Sequence, residues 1–243
     1  IYPTISPLKI SLNGKTIIII IIILLLLSWH RSICQDARYY KRNLSMGWVD
    51  YLKAYDTTSH QLILSLLRDL QVHPSIIGCI EHLMSLWKTK FSIRTTTGSE
   101  CTEWVKYRRG VFQGDSISPL LFCISLLPLS TELRSKKCGY IAGPPNRRTH
   151  LVSHLLYMDD LKLYASSATQ LKSMLNIVAE YTSAVGMAMG IDKCAVFHLK
   201  RGRALEVGDD IELADGKIIH HLGVDESYKF LGIHQRGMQN TEQ

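Results

Sequence analysis

The segment His154-Leu155-Leu156-Tyr157-Met158-Asp159-Asp160-Leu161-Lys162-Leu163-Tyr164 most constrains how this chain can fold, because two apolar strand halves meet at a pair of adjacent aspartates. Hairpin tips ordinarily carry Gly or Asn. Two carboxylates side by side repel each other unless cations sit with them, so a hairpin over residues 151 to 165 with acids at its tip points to a divalent metal site. In isolation an ordinary acidic turn is the better reading, and what changes the balance is a third acid.

That acid is Asp50. Apolar Leu44, Met46 and Trp48 alternate into Val49-Asp50, as in a strand that ends on a carboxylate. Two Mg²⁺ ions about 4 Å apart, bridged by carboxylates, activate a 3′-hydroxyl and stabilise a pyrophosphate leaving group in in-line phosphoryl transfer. Three acids from two strands meet that requirement. Asp56 is an alternative ligand, but its six-residue offset from Asp50 carries it far along the chain, and it is read as structural.

Between the acids lies Arg108-Arg109-Gly110-Val111-Phe112-Gln113-Gly114-Asp115, then Ser116-Ile117-Ser118-Pro119. Gly110 and Gly114 allow close backbone approach to a ligand, and Ser118-Pro119 starts a helix whose N-terminus attracts phosphate. Pro128 is expected to kink that helix. Ser59 caps a helix with apolar Leu62, Ile63, Leu66, Leu67 and Leu70, and Ser75 opens another. Strands are expected near residues 90–96, 102–107, 194–199, 210–213, 217–219 and 228–233, and a helix carrying Leu171, Met174, Leu175 and Val178 ends before Gly186. Helices interleaved with mostly antiparallel strands make an α+β layered domain.

With 243 residues and 46% apolar content the chain can bury a sizeable core. Its six cysteines show no CxxC pair, which argues against a zinc site or a disulfide framework and for a reduced, intracellular compartment. Net charge is +7, yet residues 1–49 hold six Lys/Arg against one acid while 50–243 hold 22 against 20. From charge alone, clusters such as Arg108-Arg109 and Arg147-Arg148 are better read as solvated surface than as phosphate contacts. The run of eleven Ile and Leu at 17–27 is short of the roughly 20 residues that span a bilayer. Residues 1–35 are therefore set apart as a low-complexity segment outside the domain, and no stable membrane association is expected.

The ordered series VDYLKAYD, RRGVFQGDSISPLLF, HLLYMDDLKLYA, GMAMGIDKCAVF and YKFLGI resembles motifs A to E of reverse transcriptases, and its wording is similar to that of non-LTR (LINE-type) retrotransposons. The resemblance runs from about residue 40 to 235. It implies a right-hand polymerase palm, an antiparallel sheet packed on helices, in an RNA-directed DNA polymerase. It implies that Asp50, Asp159 and Asp160 are the catalytic, metal-binding acids for two Mg²⁺, with Mn²⁺ as a substitute. Tyr55 would lie under the incoming sugar and exclude a 2′-hydroxyl. Gln113 and Gly114 would line the nucleotide and template pocket, Lys193 would sit by the triphosphate as charge partner or proton donor, and Tyr228, Leu231 and Gly232 would form the primer grip. RNA template, DNA primer and dNTPs are the implied partners, in cytoplasm and nucleus.

Departures bear on activity. The palm is placed at 36–235 with a tail at 236–243; fingers motifs are not recognisable before Lys41, and no thumb, endonuclease or zinc knuckle is found. Thr57-Thr58-Ser59-His60 replaces the family's Ser-x-Pro-His. The alternative is an inactive retrotransposon remnant that at most binds nucleic acid; a small membrane-anchored protein would rest on the Ile/Leu run alone.

Overall fold

Every residue of strand β1 (Leu44–Val49) is buried, a pattern that needs both faces of its sheet covered. The computed structural model describes residues 14–96, 98–147, 150–236 and 239–240. In it β1 is the central strand of a five-stranded antiparallel sheet with β2 (His154–Tyr157), β3 (Asp160–Ala165), β4 (Ala195–Lys200) and β5 (Arg203–Ala204), ordered β5-β4-β1-β3-β2. Met46 pairs with Tyr164 on one side and Phe197 on the other.

Flanking the sheet are α1 (Gly14–Tyr39), α2 (His60–Asp69), α3 (Pro74–Leu86), α4 (Ser118–Ser125), α5 (Leu127–Ser135) and α6 (Ala168–Ala184). Helices α2 to α6 share one core with Val49, Leu161, Leu163, Ala165 and Val196. The fit is tight at Gly47, where an added Cβ would lie 3.2 Å from Leu171 and 3.6 Å from Leu175 of α6. A larger residue there would push α6 off the sheet.

The opposite face, carrying Leu44, Met46, Trp48, Tyr164 and Phe197, is covered by Leu27, Ile33, Cys34 and Ala37 of α1 and by Phe230 and Leu231. Packing therefore does not break at residue 35, where sequence pattern placed the edge of the domain. Asp36 fixes the end of α1 through an ion pair to Arg42 at 2.8 Å and a hydrogen bond from the Gly143 N–H at 3.0 Å. Further along the run, Ile18, Ile21, Leu24 and Leu25 are exposed. Among the described residues no helix is long and apolar enough to cross a membrane. Residues 1–13, Arg148 and most of the 236–243 tail lie outside the described residues.

Several element boundaries differ from the pattern in the sequence. Helix α2 starts at the expected cap, Ser59, whose hydroxyl accepts from the Leu62 N–H at 3.3 Å. Helix α3 instead begins at Pro74, since proline at the first position needs no donor and His73 accepts from the Ser75 N–H. Ser118 lies inside its helix and donates to Asp115 at 3.3 Å, so Asp115 secures that entry. Pro128 separates α4 from α5 instead of bending a continuous helix. Residues 228–233 are not one strand: Ser227–Phe230 and Ile233–Arg236 form a hairpin that turns at Leu231 and Gly232, both at positive φ, 53° and 78°. Gly98 is likewise paired within a strand opposite Thr95.

Candidate active site

Carrying the Val49–Leu161 pairing one residue further sets Asp50, just past β1, opposite Asp160, the first residue of β3. Asp159 occupies the turn before it, after Met158 at φ +53°. The acids thus gather at one end of two adjacent strands. Burial, then Asp159 and Asp50, push the Asp160 carboxyl up to about 6. Burial also raises Asp50, with Asp159 adding to the shift and Lys193 opposing it.

The Lys193 ammonium lies 3.8 Å from the Asp50 carboxylate, at an exposed position where screening limits the strength of the pair. Among the described residues no three His, Cys, Asp or Glu side chains already stand as a ligand set. Asp159 nonetheless raises the proton affinity of both Asp50 and Asp160, and Asp50 adds to that of Asp160; such repulsion favours a cation among them. The donor set, carboxylate oxygens alone, suits a hard ion such as Mg²⁺.

The backbone holds Asp50 from both ends. Its carbonyl accepts from the Gly190 N–H at 2.9 Å, and its N–H points at the Cys194 sulfur at 3.5 Å. Gly190 has an ordinary φ of −82°, but a Cβ there would lie 2.8 Å from the Asp50 carboxylate oxygen. Space for the carboxylate, not backbone freedom, is why this position suits glycine. Sequence pattern singled out neither Gly190 nor Cys194.

Tyr55 is half-buried and stacks on Phe122 of α4, with ring centroids 4.8 Å apart. Burial first and Asp159 second raise its phenol. The loop holding Gln113 and Gly114 is anchored behind them. Val111 N–H donates to the Tyr55 carbonyl at 2.8 Å, and Gly110 N–H to the Thr58 carbonyl at 2.7 Å. Gly110, at φ +87°, approaches its own chain: a Cβ there would meet the Asp56 carbonyl at 2.6 Å. Asp56 is exposed, and its backbone carbonyl packs under Gly110. Gly114, at φ +89°, is open around its Cα, and Gln113 and Gly114 are both exposed. Neither residue hydrogen-bonds to the aspartates among the described residues.

On the other flank the Leu231 backbone N–H opposes the upward shift of Asp160. Tyr228 stacks on Trp48 at 5.2 Å, and Gly232 completes the same turn. A cleft of about 450 Å³ opens here, lined by Asp50, Lys193, Cys194, His221, Tyr228 and Lys229.

Under the site lies a group that sequence pattern does not single out. Lys162 of β3 is wholly buried, donates to Gln235 at 2.8 Å, lies 3.1 Å from His30 of α1 and 4.2 Å from the Trp48 ring centroid. Burial brings its amine down to about 7.

An antiparallel sheet packed on helices, with two acids at a hairpin tip and a third at the end of the neighbouring strand, is a polymerase palm. The family model described as reverse transcriptase (RNA-dependent DNA polymerase) matches residues 27–235. The chain belongs to the reverse transcriptase family. The match begins at Leu27, the first buried residue among the described side chains of α1. A Pol polyprotein from the type-1 retrotransposable element R2 of Popillia japonica is 29% identical over 187 residues, which are 76% of this chain and 30% of that protein. The type-2 element R2DM of Drosophila melanogaster is 26% identical over 159 residues, 65% of this chain and 14% of its own length. This reverse transcriptase chain thus spans less than a third of these relatives, and they mark it as the non-LTR kind. Among solved structures, apo telomerase from Candida tropicalis, truncated from its C-terminal domain, superposes with a TM-score of 0.57 over 96% of this chain and 40% of that one. Telomerase from Candida albicans, in complex with a TWJ fragment of telomeric RNA, gives 0.58 over 96% and 34%. Both are 13% identical and speak to the fold alone, the palm-type polymerase fold.

Proposed function

We propose that this chain is the palm module of an RNA-directed DNA polymerase from an R2-like retrotransposon, transferring dNTPs to a primer 3′-hydroxyl. The observation that carries the reading is the meeting of Asp50, Asp159 and Asp160 at the ends of adjacent strands, where Asp159 raises both Asp50 and Asp160. They would hold two Mg²⁺, or Mn²⁺ in its place, and bound there the ions stabilise charge on the transferring phosphoryl and lower the pKa of the attacking hydroxyl.

The chain's own residues then have distinct parts. Tyr55, braced by Phe122, is the floor beneath the sugar and the barrier to a 2′-hydroxyl. Lys193, on the rim beside Asp50, faces the triphosphate and can pass a proton to the leaving pyrophosphate. Gln113 and Gly114, on an open loop, line the nucleotide and template. Tyr228, Leu231 and Gly232 grip the primer end, with Tyr228 stacked on Trp48 of β1. RNA template and DNA primer are the partners, and the module includes the face of α1 that packs on the sheet through Leu27, Ile33, Cys34 and Ala37.

The isolated chain is expected to extend poly(rA)/oligo(dT) little or not at all, because a fingers region positions the triphosphate and a thumb clamps the A-form hybrid. Fusion to a related fingers and thumb restores Mg²⁺-dependent extension, and Asp159→Asn then lowers it by about two to three orders of magnitude or more. Equal extension with Asn at 159 would overturn the mechanism. Fusions that fold and bind primer-template yet never extend would favour a non-catalytic remnant.

A further inference from the structure

Between α3 and the Gln113 loop the chain leaves the body of the domain as a two-stranded arm. Lys88–Thr89 pairs with Val105–Lys106 at its base, and Ser92–Thr95 pairs with Gly98–Cys101 at its tip. Phe91 and Thr102 join the two ladders, with Thr102 N–H donating to the Phe91 carbonyl at 2.9 Å. Of the described side chains between Lys88 and Lys106, only Thr89 is even half-buried. Phe91 and Ile93 are both 64% exposed and Trp104 is 55% exposed. A two-stranded ribbon with no apolar face to cover is marginal in water by itself.

Its charges are set against it as well. Lys88 stands directly across from Lys106, a cross-strand like-charge pair that weakens the ladder. The ammonium groups of Lys88 and Lys90 lie 4.7 and 5.3 Å from the centroid of the Trp104 ring. The arm also carries Glu100 and Glu103, yet among the described residues neither forms an ion pair with these lysines. Exposed aromatic rings flanked by unpaired cations suit a polyanion with flat bases, which neutralises the lysines through phosphate and stacks on the ring. The arm is rooted beside the site. Tyr107 N–H donates to the Trp87 carbonyl at 2.9 Å, and Trp87 and Tyr107 both pack on Phe112, at 4.9 and 4.7 Å, next to Gln113.

We propose that the Lys88–Lys106 arm is a binding surface for single-stranded nucleic acid, stacking a base on Trp104 and engaging phosphates with Lys88, Lys90 and Lys106. Resting on the polymerase reading, its occupant is the template strand on its way to Gln113 and Gly114. The arm thereby holds a strand that the sheet does not reach.

The test is fluorescence anisotropy of the full 243-residue chain with a labelled 20-nucleotide oligo(rU), without divalent metal, across a potassium chloride series. Trp104→Ala should weaken binding about ten-fold. Lys88→Thr/Lys106→Thr should lower the slope of log affinity against log salt by about 1.4, about 0.7 for each phosphate no longer neutralised. The same double variant should melt at the same temperature as the parent or higher, because it removes a repulsion; a merely structural role would lower it. Asp159→Asn should bind at least as well as the parent. An arm whose variants keep the parent's affinity and salt slope, a parent that does not bind, or arm variants that change self-association and leave RNA binding alone would each overturn the proposal. Loss of extension in the fused enzyme with RNA binding intact would count against the polymerase reading and leave the arm standing.

Discussion

The ring of Tyr55 lies nearly flat on that of Phe122, centroids 4.8 Å apart and planes 14° from parallel. One residue follows the first catalytic strand and the other belongs to the helix after the Gln113 loop, so a single stack joins two of the motifs. Replacing Tyr55 with Val should therefore relax the choice of sugar. In the fused enzyme the preference for dNTP over rNTP should fall about ten-fold or more, since removing bulk from a pocket relaxes rejection of a larger substrate. Tyr55→Phe, which keeps the ring, should retain the preference. Single-nucleotide incorporation assays decide, and unchanged discrimination in the Val variant would leave Tyr55 as a packing residue.

Gly190 gives a prediction of the opposite kind, in which adding one methyl group disturbs the site without unfolding the domain. Its backbone lies in a region open to any residue, but a Cβ would stand 2.8 Å from the Asp50 carboxylate and 3.3 Å from Leu52. Gly190→Ala should leave the melting temperature within a few degrees of the parent while turning Asp50 away from Asp160. Primer extension should drop at least about ten-fold, with a higher Mg²⁺ concentration needed for half-maximal rate. Unaltered metal dependence would show that Asp50 has room to spare.

The legible parts of this fold are those where a local rule agrees with the packing. Leu44, Met46 and Trp48 alternate because they share the face that α1 covers, while Gly47 on the other face leaves room for Leu171 and Leu175, and the acids stand where the strands end. Helix α6 shows its face at Leu171, Met174, Leu175 and Val178 because its other side meets water. The run of Ile and Leu in α1 has no such contrast and hides the face it buries. A signal was present further along: His30, Ile33, Cys34 and Ala37, at helical spacing, are all buried against the sheet. Lys162 was illegible for the reverse reason, since a lysine in a strand reads as a solvent residue until Gln235, distant in sequence, comes to meet it. The Leu231–Gly232 turn escaped because a leucine seldom adopts positive φ.

His154 makes stability depend on acid. Its ring nitrogens lie 2.9 Å from Ser130 and 2.8 Å from Ser153, and burial, aided by Arg134, brings its pKa down to about 4. The unfolded chain binds this proton near pH 6.5, whereas the folded chain resists until about 4. Folding stability from this group is thus complete above pH 6.5 and is lost as pH falls through that window, on the order of 2 kcal/mol by pH 4.5. His154→Gln keeps hydrogen-bonding capacity and cannot take up the proton. Urea midpoints at pH 7.5 and 4.5 should fall further for the parent than for the variant; His30 and Asp160 titrate in both proteins and cancel in the difference. Equal losses would place the acid sensitivity elsewhere.

Arg109 reaches three carbonyls from two separate segments: Thr57 at 3.0 Å, after the first catalytic strand, and Val185 and Gly186 at 2.7 and 3.3 Å, at the end of α6. It thereby ties the loop that carries Gln113 to the segment leading into Gly190 and Lys193. Gly186 completes the fit, since at φ +72° a Cβ there would overlap the guanidinium. Arg109→Ala should cost about 1–2 kcal/mol for the missing charge-assisted bonds and raise KM for dNTP more than it lowers kcat, because it loosens loops and leaves the acids in place. Arg109→Lys should recover little, as an ammonium lacks the fork that spans both segments. Gly186→Ala should cost a similar amount, part from backbone strain and part from displacing the guanidinium. Because the second part vanishes once Arg109 is gone, the double variant should be less destabilised than the sum of the singles by at least about 0.5 kcal/mol. Strict additivity in urea denaturation would mean that the two residues act independently and that no clamp joins these loops.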